Sequence, residues 1–391
     1  MNLKSSFTWL FSKYKSFIMD RDLKESHDYL TKQIITYIGN KRELLAEIEN
    51  EVHLVLEILK KEKIVFLDLF SGSGIVSRLL KKYSSKVITN DLEDYSYILN
   101  ECFLTNKSDF DENKFNFYLE QLEENIKTKP IIDGIIAKNY APKDENNIKL
   151  EDRVFYTKEN AMYIDSARHY IDKLIPEDYK KYFLAELITQ SSIHVNTCGV
   201  FKGFYKDKNS KIGKYGGTGS NALSRIKGKI KLEVPVLSNF NCEVNVYKKD
   251  ANVLCKEVKG VDLVYLDPPY NEHPYSSNYF MLNVILKNKL EGKLSKVSGI
   301  PNNWNRSIYN KKREALSGLE DIVKCIDSKF ILVSYNDEGF IEFNEMKEML
   351  SKYGELISEK KILYNTFRGS RNLNNRSIHT NEFLFLLKKK V

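Results

Sequence analysis

The stretch Ile64-Val65-Phe66-Leu67-Asp68-Leu69-Phe70-Ser71-Gly72-Ser73-Gly74 opens as a continuous apolar run, carries a carboxylate near its end and closes as a glycine turn. An apolar run without polar alternation is the pattern of a strand covered on both faces, as in a parallel sheet. Ile75 to Lys82 then starts a helix, Lys86-Val87-Ile88-Thr89-Asn90 reads as a second strand ending at Asp91, and Leu92 to Leu104 reads as another helix. Strand alternating with helix predicts an α/β fold built on a doubly wound, mostly parallel sheet. Upstream, Leu44, Leu45, Ile48, Val52 and Val55 recur at helical spacing and predict a helix over Lys41–Lys61. Downstream, strand patterns recur at Glu243–Tyr247, Val261–Leu266, Phe330–Ser334 and Glu382–Leu387. From about Asp109 to Asn241 the alternation stops. There only Tyr179–Ile193 reads clearly as a helix, and the rest is Lys-rich, Gly-rich and loop-like. The expected organisation is one sheet, contributed by residues 1–108 and 242–391, with residues 109–241 inserted as a second module.

Composition bounds the function class. The chain has 391 residues, 42% hydrophobic and 12% aromatic, enough for a large packed core. No apolar run approaches the roughly 20 residues needed to span a bilayer. Met1–Met19 is interrupted by Lys4, Lys13 and Lys15 and lacks the apolar core of a secretory leader. The five cysteines lie far apart with no C-x-x-C pair, which argues against a zinc module or a disulfide framework. These features predict a soluble, cytoplasmic protein without a membrane partner or a metal. The formal charge of +8 permits a polyanionic partner, so the distribution of charge matters more than its total.

Three constellations carry chemistry. Glycines at the carboxyl end of a strand let backbone approach a ligand, and the following helix offers unpaired N–H groups, although such a turn alone also fits a plain connection. Asp91, at the end of the second strand, can accept hydrogen bonds from both hydroxyls of a ribose, or can simply cap a helix. The two together point to an adenosine-containing cofactor. The third constellation is Val264-Tyr265-Leu266-Asp267-Pro268-Pro269-Tyr270, an apolar strand running into a carboxylate, two prolines and a ring. The prolines fix the backbone and remove two donors, so Asp267 and the Pro268 carbonyl can accept both hydrogens of a planar exocyclic amine. Tyr270 offers a face on which a base can stack. In the polar, aromatic segment that follows, His273 reads as a structural loop residue rather than a base.

This ordered set of motifs resembles the Dam-like adenine-specific DNA methyltransferases, in which the cofactor motifs precede the catalytic one. The resemblance runs from about Tyr37 to Leu387 and implies a Rossmann-like sheet binding S-adenosylmethionine, with residues 109–241 as an inserted target-recognition region. Tyr37-Ile38-Gly39-Asn40-Lys41 matches the upstream cofactor motif, with Asn40 in place of a smaller residue. It implies packing of Tyr37 beside the cofactor and contact of Lys41 with the methionine carboxylate. Asp68, Phe70, Gly72 and Gly74 match the glycine motif and Asp91 the ribose-binding acid. Asp250-Ala251 resembles the site where an acid meets the cofactor's adenine, and Asp267 would also lie against the cofactor. The implied reaction is direct in-line methyl transfer to the N6 amine of an adenine flipped out of double-stranded DNA.

The inserted region fits a DNA reader. Gly199 to Lys231 holds nine basic residues against one acid, Asp207, interleaved with Phe201, Phe204 and Tyr215. Lys202, Lys206, Lys211, Lys214, Arg225 and Lys227 are the candidates for DNA contact, with smaller clusters at Trp304–Arg313 and Arg368–Arg376. A restriction system with a cognate endonuclease is the expected setting. Two alternatives stand beside this reading: an RNA base-amine methyltransferase, and a catalytically silent DNA-binding specificity module. Cytosine-amine enzymes usually carry Ser where this chain has Asp267.

Overall fold

The computed structural model describes residues 24–217, 219–365 and 379–390. The segments Met1–Met19 and Arg368–Arg376 lie outside the described residues. Seven strands form one sheet: β1 (Ile64–Asp68), β2 (Ser84–Asn90), β3 (Glu243–Tyr247), β4 (Val261–Leu266), β5 (Ser328–Asn336), β6 (Gly354–Asn365) and β7 (His379–Lys389). Their order is β3-β2-β1-β4-β5-β7-β6. The first five strands run parallel, with Phe66 opposite both Val87 and Leu263. β7 turns back antiparallel to β5, pairing Glu382 with Asn336, and β6 is antiparallel to β7.

Why apolar runs become these strands is visible in their two faces. Along β4, Leu263 and Tyr265 pack with Phe66, Phe330 and the helix Leu45–Leu59 on one side. Val264 and Leu266 pack with Leu67, Ile331 and the helix Lys312–Cys325 on the other. Every β4 residue is buried, so water leaves both faces and no polar alternation is tolerated. Asp262 is the exception, and its carboxylate is neutralised by Lys61 at 2.7 Å and Lys329 at 2.8 Å.

Because the sheet grows from β1 in both directions, the carboxyl ends of β1 and β4 lie side by side at the point where the winding reverses. Ligands of open α/β sheets bind in the crevice formed there. The loops carrying Ser71-Gly72-Ser73-Gly74 and Asp267-Pro268-Pro269-Tyr270 emerge at that crevice.

Residues 109–241 contain more helix than their sequence suggests. Beside Glu177–Ile193, long helices run over Glu112–Thr128 and Lys158–Leu174. These pack with Asp94–Phe103 and Phe280–Lys287 into one continuous core, in which Phe115 stacks on Phe183 at 4.4 Å. From Gly199 onward the chain is loop-like as expected, apart from a short helix at Ala222–Lys227. A hairpin-like turn over Tyr205–Lys214 is closed by Asp207 N–H to the Ile212 carbonyl at 2.8 Å and Lys214 N–H to the Tyr205 carbonyl at 2.9 Å.

Candidate active site

The site is built on the crevice. β1 ends in a turn that the second strand and the next helix hold from both sides. Ser71 N–H donates to the Asn90 carbonyl at 2.9 Å, and the Ser96 hydroxyl donates to the Gly72 carbonyl at 2.6 Å. Gly72 (φ +51°) and Gly74 (φ +76°) both sit in the left-handed region that glycine tolerates best. Space demands glycine as well: a Cβ on Gly72 would stand 2.8 Å from the Tyr37 ring, and one on Gly74 only 2.4 Å from Asn100 Oδ1. Gly74 thus shapes the turn, while Gly72 faces the cleft.

That cleft encloses about 740 Å³ and is walled by Tyr37, Phe70, Gly72, Asp91, Asp250, Ala251, Asp267 and Pro269 among the residues singled out by sequence. On its far wall Asp91 accepts the N–H groups of Gly72 at 2.8 Å and Glu93 at 3.0 Å, which fix the carboxylate. Burial pushes its carboxyl up, and those N–H groups pull it back. Asp250 caps the helix Ala251–Glu257 through Oδ1, accepting from Asn252 and Val253. Phe70 meets Tyr309 edge-on at 5.1 Å, which gives the cleft an aromatic corner beside Ala251.

Tyr37 closes the near wall. Its ring stacks on Tyr279 at 4.9 Å and on Tyr275 at 5.1 Å, both from the segment after β4. The Tyr279 hydroxyl accepts the Ile38 N–H at 2.7 Å, and the Tyr275 hydroxyl donates to the Ile38 carbonyl at 3.1 Å. The upstream motif and the loop behind Tyr270 are therefore one rigid tyrosine wall. Gly39 (φ +70°) passes beside the Tyr270 ring. Tyr270 itself is partly buried and edge-on to Tyr335 at 6.4 Å. His273 is exposed in this loop, its backbone N–H held by Asn271.

Lys41 and Asp68 stand behind the cleft rather than in it. The Lys41 ammonium lies 2.9 Å from Asp267 Oδ1, 2.9 Å from Glu382 Oε1 and 3.0 Å from the Gly39 carbonyl. Three acceptors saturate its three donors, and the residue is only 4% exposed. Asp68 is 1% exposed and accepts the Ser77 hydroxyl at 2.6 Å.

Two acids were missed by the sequence reading. Glu382, on β7, accepts Lys41 and the Ser334 hydroxyl (3.0 Å) through Oε1 and the Asn336 amide (3.0 Å) through Oε2. Glu93 lines the cleft, accepts the Asn283 amide at 2.7 Å, and is pushed up to about 7 by burial and by neighbouring Asp91. The Asp267 carboxyl behaves similarly: burial lifts it to about 6, with Lys41 lowering and Glu382 raising it. Among the basic candidates, Lys206 lies over Phe204, Lys227 over Tyr215, and Lys214 pairs with Asp207 at 3.4 Å. The Arg225 guanidinium is taken up by the carbonyls of Ile193 and Val195 at the end of the long helix. Among the described residues no group of His, Cys, Asp or Glu is arranged to hold a metal, and no helix is long and apolar enough to cross a membrane.

Residues 37–349 fit the model of the D12 class N6 adenine-specific DNA methyltransferases. The chain is similar to the type II methyltransferase M.NlaIII of Neisseria lactamica, 30% identical over 91% of this chain and 99% of that one. It is also similar to M.CviAII of Paramecium bursaria Chlorella virus 1, 29% identical over 82% and 89% of the two chains. M.FokI of Planomicrobium okeanokoites is 29% identical over 91% of this chain, which spans only 53% of that longer protein. An acid-lined cleft at the switch of an α/β sheet suits the cationic donor S-adenosylmethionine, and with residues 37–349 matching the family model, this chain belongs to the D12 class N6 adenine-specific DNA methyltransferase family.

Proposed function

We propose that this chain is the modification enzyme of a restriction system, methylating the N6 amine of one adenine within a specific duplex sequence. The observation that carries the residue assignment is the Asp267–Lys41–Glu382 ion chain, which holds a carboxylate at the edge of the cofactor cleft. When bound, S-adenosylmethionine supplies an electrophilic methyl group on a good leaving group. Tyr37, Phe70, Gly72, Asp91, Asp250 and Ala251 bind and orient that donor. Asp91 would accept the ribose hydroxyls, and the acid-capped helix start at Asp250-Ala251 would meet the adenine.

The protein's remaining task is the target amine, whose lone pair is delocalised into the purine. Asp267 and the Pro268 carbonyl accept its two hydrogens, draw the nitrogen toward tetrahedral geometry and stabilise the positive charge that develops there. Lys41 takes up one oxygen of Asp267 and so fixes which way the carboxylate points. Holding the amine beside the methyl group supplies the orientation term. Flipping the base costs a few kcal/mol, which stacking on Tyr270 partly offsets. The turn over Tyr205–Lys214 carries Lys206, Lys211 and Lys214, and with Lys202 and Lys227 it reaches the duplex. Arg225 holds that region to the helix end.

The test is incubation with tritiated cofactor on unmethylated DNA and on RNA, followed by sequencing of the modified positions. Label in DNA at one repeated adenine-containing sequence is expected. Label in RNA alone overturns the proposal. Loss of host DNA integrity on deleting the gene beside an active endonuclease would separately establish the restriction setting.

A further inference from the structure

Beside the cofactor site, against Glu272 and Pro274 of the Asn271–Pro274 loop, lies a second cleft open to solvent. The two clefts share Pro274, Ser307 and Asn310 in their walls, so a chain passing through one can reach the other. The second is lined by Trp304, by Lys202, Arg306 and Lys311, by Glu272 and by Ser277. Its frame is fixed by hydrogen bonds from both sides. The Asn305 N–H donates to Ser276 Oγ at 3.2 Å, the Asn310 amide to the Asn271 carbonyl at 2.9 Å, and the Ser298 hydroxyl to the Lys202 carbonyl at 2.6 Å. The Arg306 guanidinium stands 5.7 Å from the Trp304 ring centroid. Among the described residues neither Lys202 nor Arg306 has an ion-pair partner, and burial pushes the Lys202 ammonium down.

A large flat ring beside three cations matches the two halves of a nucleotide. The ring gives a base a face to stack on, and the cations neutralise the phosphate. All three cations are exposed and so open to a phosphate from solvent, Lys311 also pairing with Glu314 at 3.0 Å. Building on the reading of the catalytic site given above, we propose that this second cleft seats a nucleotide of the DNA next to the target adenine, its base on Trp304 and its phosphate on Lys202, Arg306 and Lys311. Extrusion of the adenine into the catalytic crevice bends its strand across the Asn271–Pro274 loop, and the neighbouring unit then falls at this opening. Glu272, the only acid in the wall, can accept from a base amine there.

The sequence offers a direct probe, because Trp304 is one of only two tryptophans, the other being Trp9. A Trp9→Phe protein reports Trp304 emission alone, and stacking of a base quenches it. Saturating quenching is expected when this protein is titrated, in the presence of S-adenosylmethionine, with a short duplex carrying the sequence it methylates. Trp304→Ala is expected to raise KM for DNA about tenfold, the loss of one stacked base. Its KM for the methyl donor should be unchanged, which excludes a folding defect, and Trp304→Phe should recover most of the loss. Lys202→Ala should flatten the salt dependence of DNA binding by about one phosphate contact. Unchanged emission of the Trp9→Phe protein at full DNA occupancy by gel shift overturns the proposal, as does an unaltered KM for DNA in Trp304→Ala. Quenching by RNA but not by DNA overturns it as well. Failure of the wild-type chain to methylate DNA is a separate result, which strikes the catalytic reading instead.

Discussion

Glu382→Gln probes the Asp267 carboxylate, to which we assign catalysis, through a buried residue behind the cleft. Lys41 Nζ lies 2.9 Å from one oxygen of Asp267 and 2.9 Å from one oxygen of Glu382, so those oxygens are separated by at most twice 2.9 Å, 5.8 Å. At that distance two unit charges repel by about 3 kcal/mol at an effective dielectric of about 20, which corresponds to about two pK units. The Asp267 side chain is 20% exposed, and solvent screening reduces the effect to roughly one to two units. Burial now holds Asp267 at about 6, with Glu382 adding to the rise. Removing the Glu382 charge should therefore lower it. The acid limb of kcat/KM for the methyl donor, which reports the free enzyme, is expected near pH 6 in the wild type and about one to two units lower in the variant. The Gln amide meets Asn336 Nδ2, which now donates to Glu382 at 3.0 Å. A stability loss of about 1–3 kcal/mol should accompany the change. The assay is tritium transfer to DNA across the acid range, with thermal melting on the same samples. A folded variant whose acid limb is unmoved, or moves upward, refutes the reasoning.

The cofactor wall gives further expectations. Gly72→Ala places a Cβ 2.8 Å from a Tyr37 ring that two stacked tyrosines prevent from retreating. Calorimetry should show donor affinity falling about tenfold, and melting should show a loss of about 1–3 kcal/mol. Asp91→Asn turns an amide N–H₂ toward the N–H groups of Gly72 or Glu93. Donor affinity should fall about ten- to a hundredfold, with kcat at saturating donor changed far less. Glu93, raised to about 7, ionises as pH climbs through that value, so the cleft becomes more negative and binds a cationic donor more tightly. Glu93→Gln should flatten this dependence in a calorimetric pH series.

What the sequence made legible follows from local physics. β1 and β4 declare themselves because burial on both faces forbids polar residues, as in Phe66-Leu67 and Leu263-Val264. Gly72 and Asp267-Pro268-Pro269-Tyr270 are readable because tight turns restrict residue type over a few positions. The helices Glu112–Thr128 and Lys158–Leu174 are hidden by charge. The first buries only Phe115, Leu122 and Ile126, too thin an apolar stripe to stand out. β6 is hidden for the converse reason: as an edge strand it carries Glu359, Lys360 and Lys361, which suppress its pattern. Glu382 meets Lys41 only because β7 folds back beside β5, a tertiary fact with no local trace. A lone acid inside the apolar run Glu382–Leu387 was the one available signal. Glu93 was within reach, since Asp91-Leu92-Glu93 sets two acids at the same strand end.

Digestion to nucleosides and mass analysis of DNA treated by the wild type and by Asp267→Ala tests the assignment most directly. N6-methyladenine is expected with the wild type and should fall at least about a hundredfold with Asp267→Ala, given the size of transition-state electrostatic terms. Donor binding by the variant should remain measurable by calorimetry. Undiminished N6-methyladenine from Asp267→Ala, or methyl groups on another atom of the DNA, would contradict it.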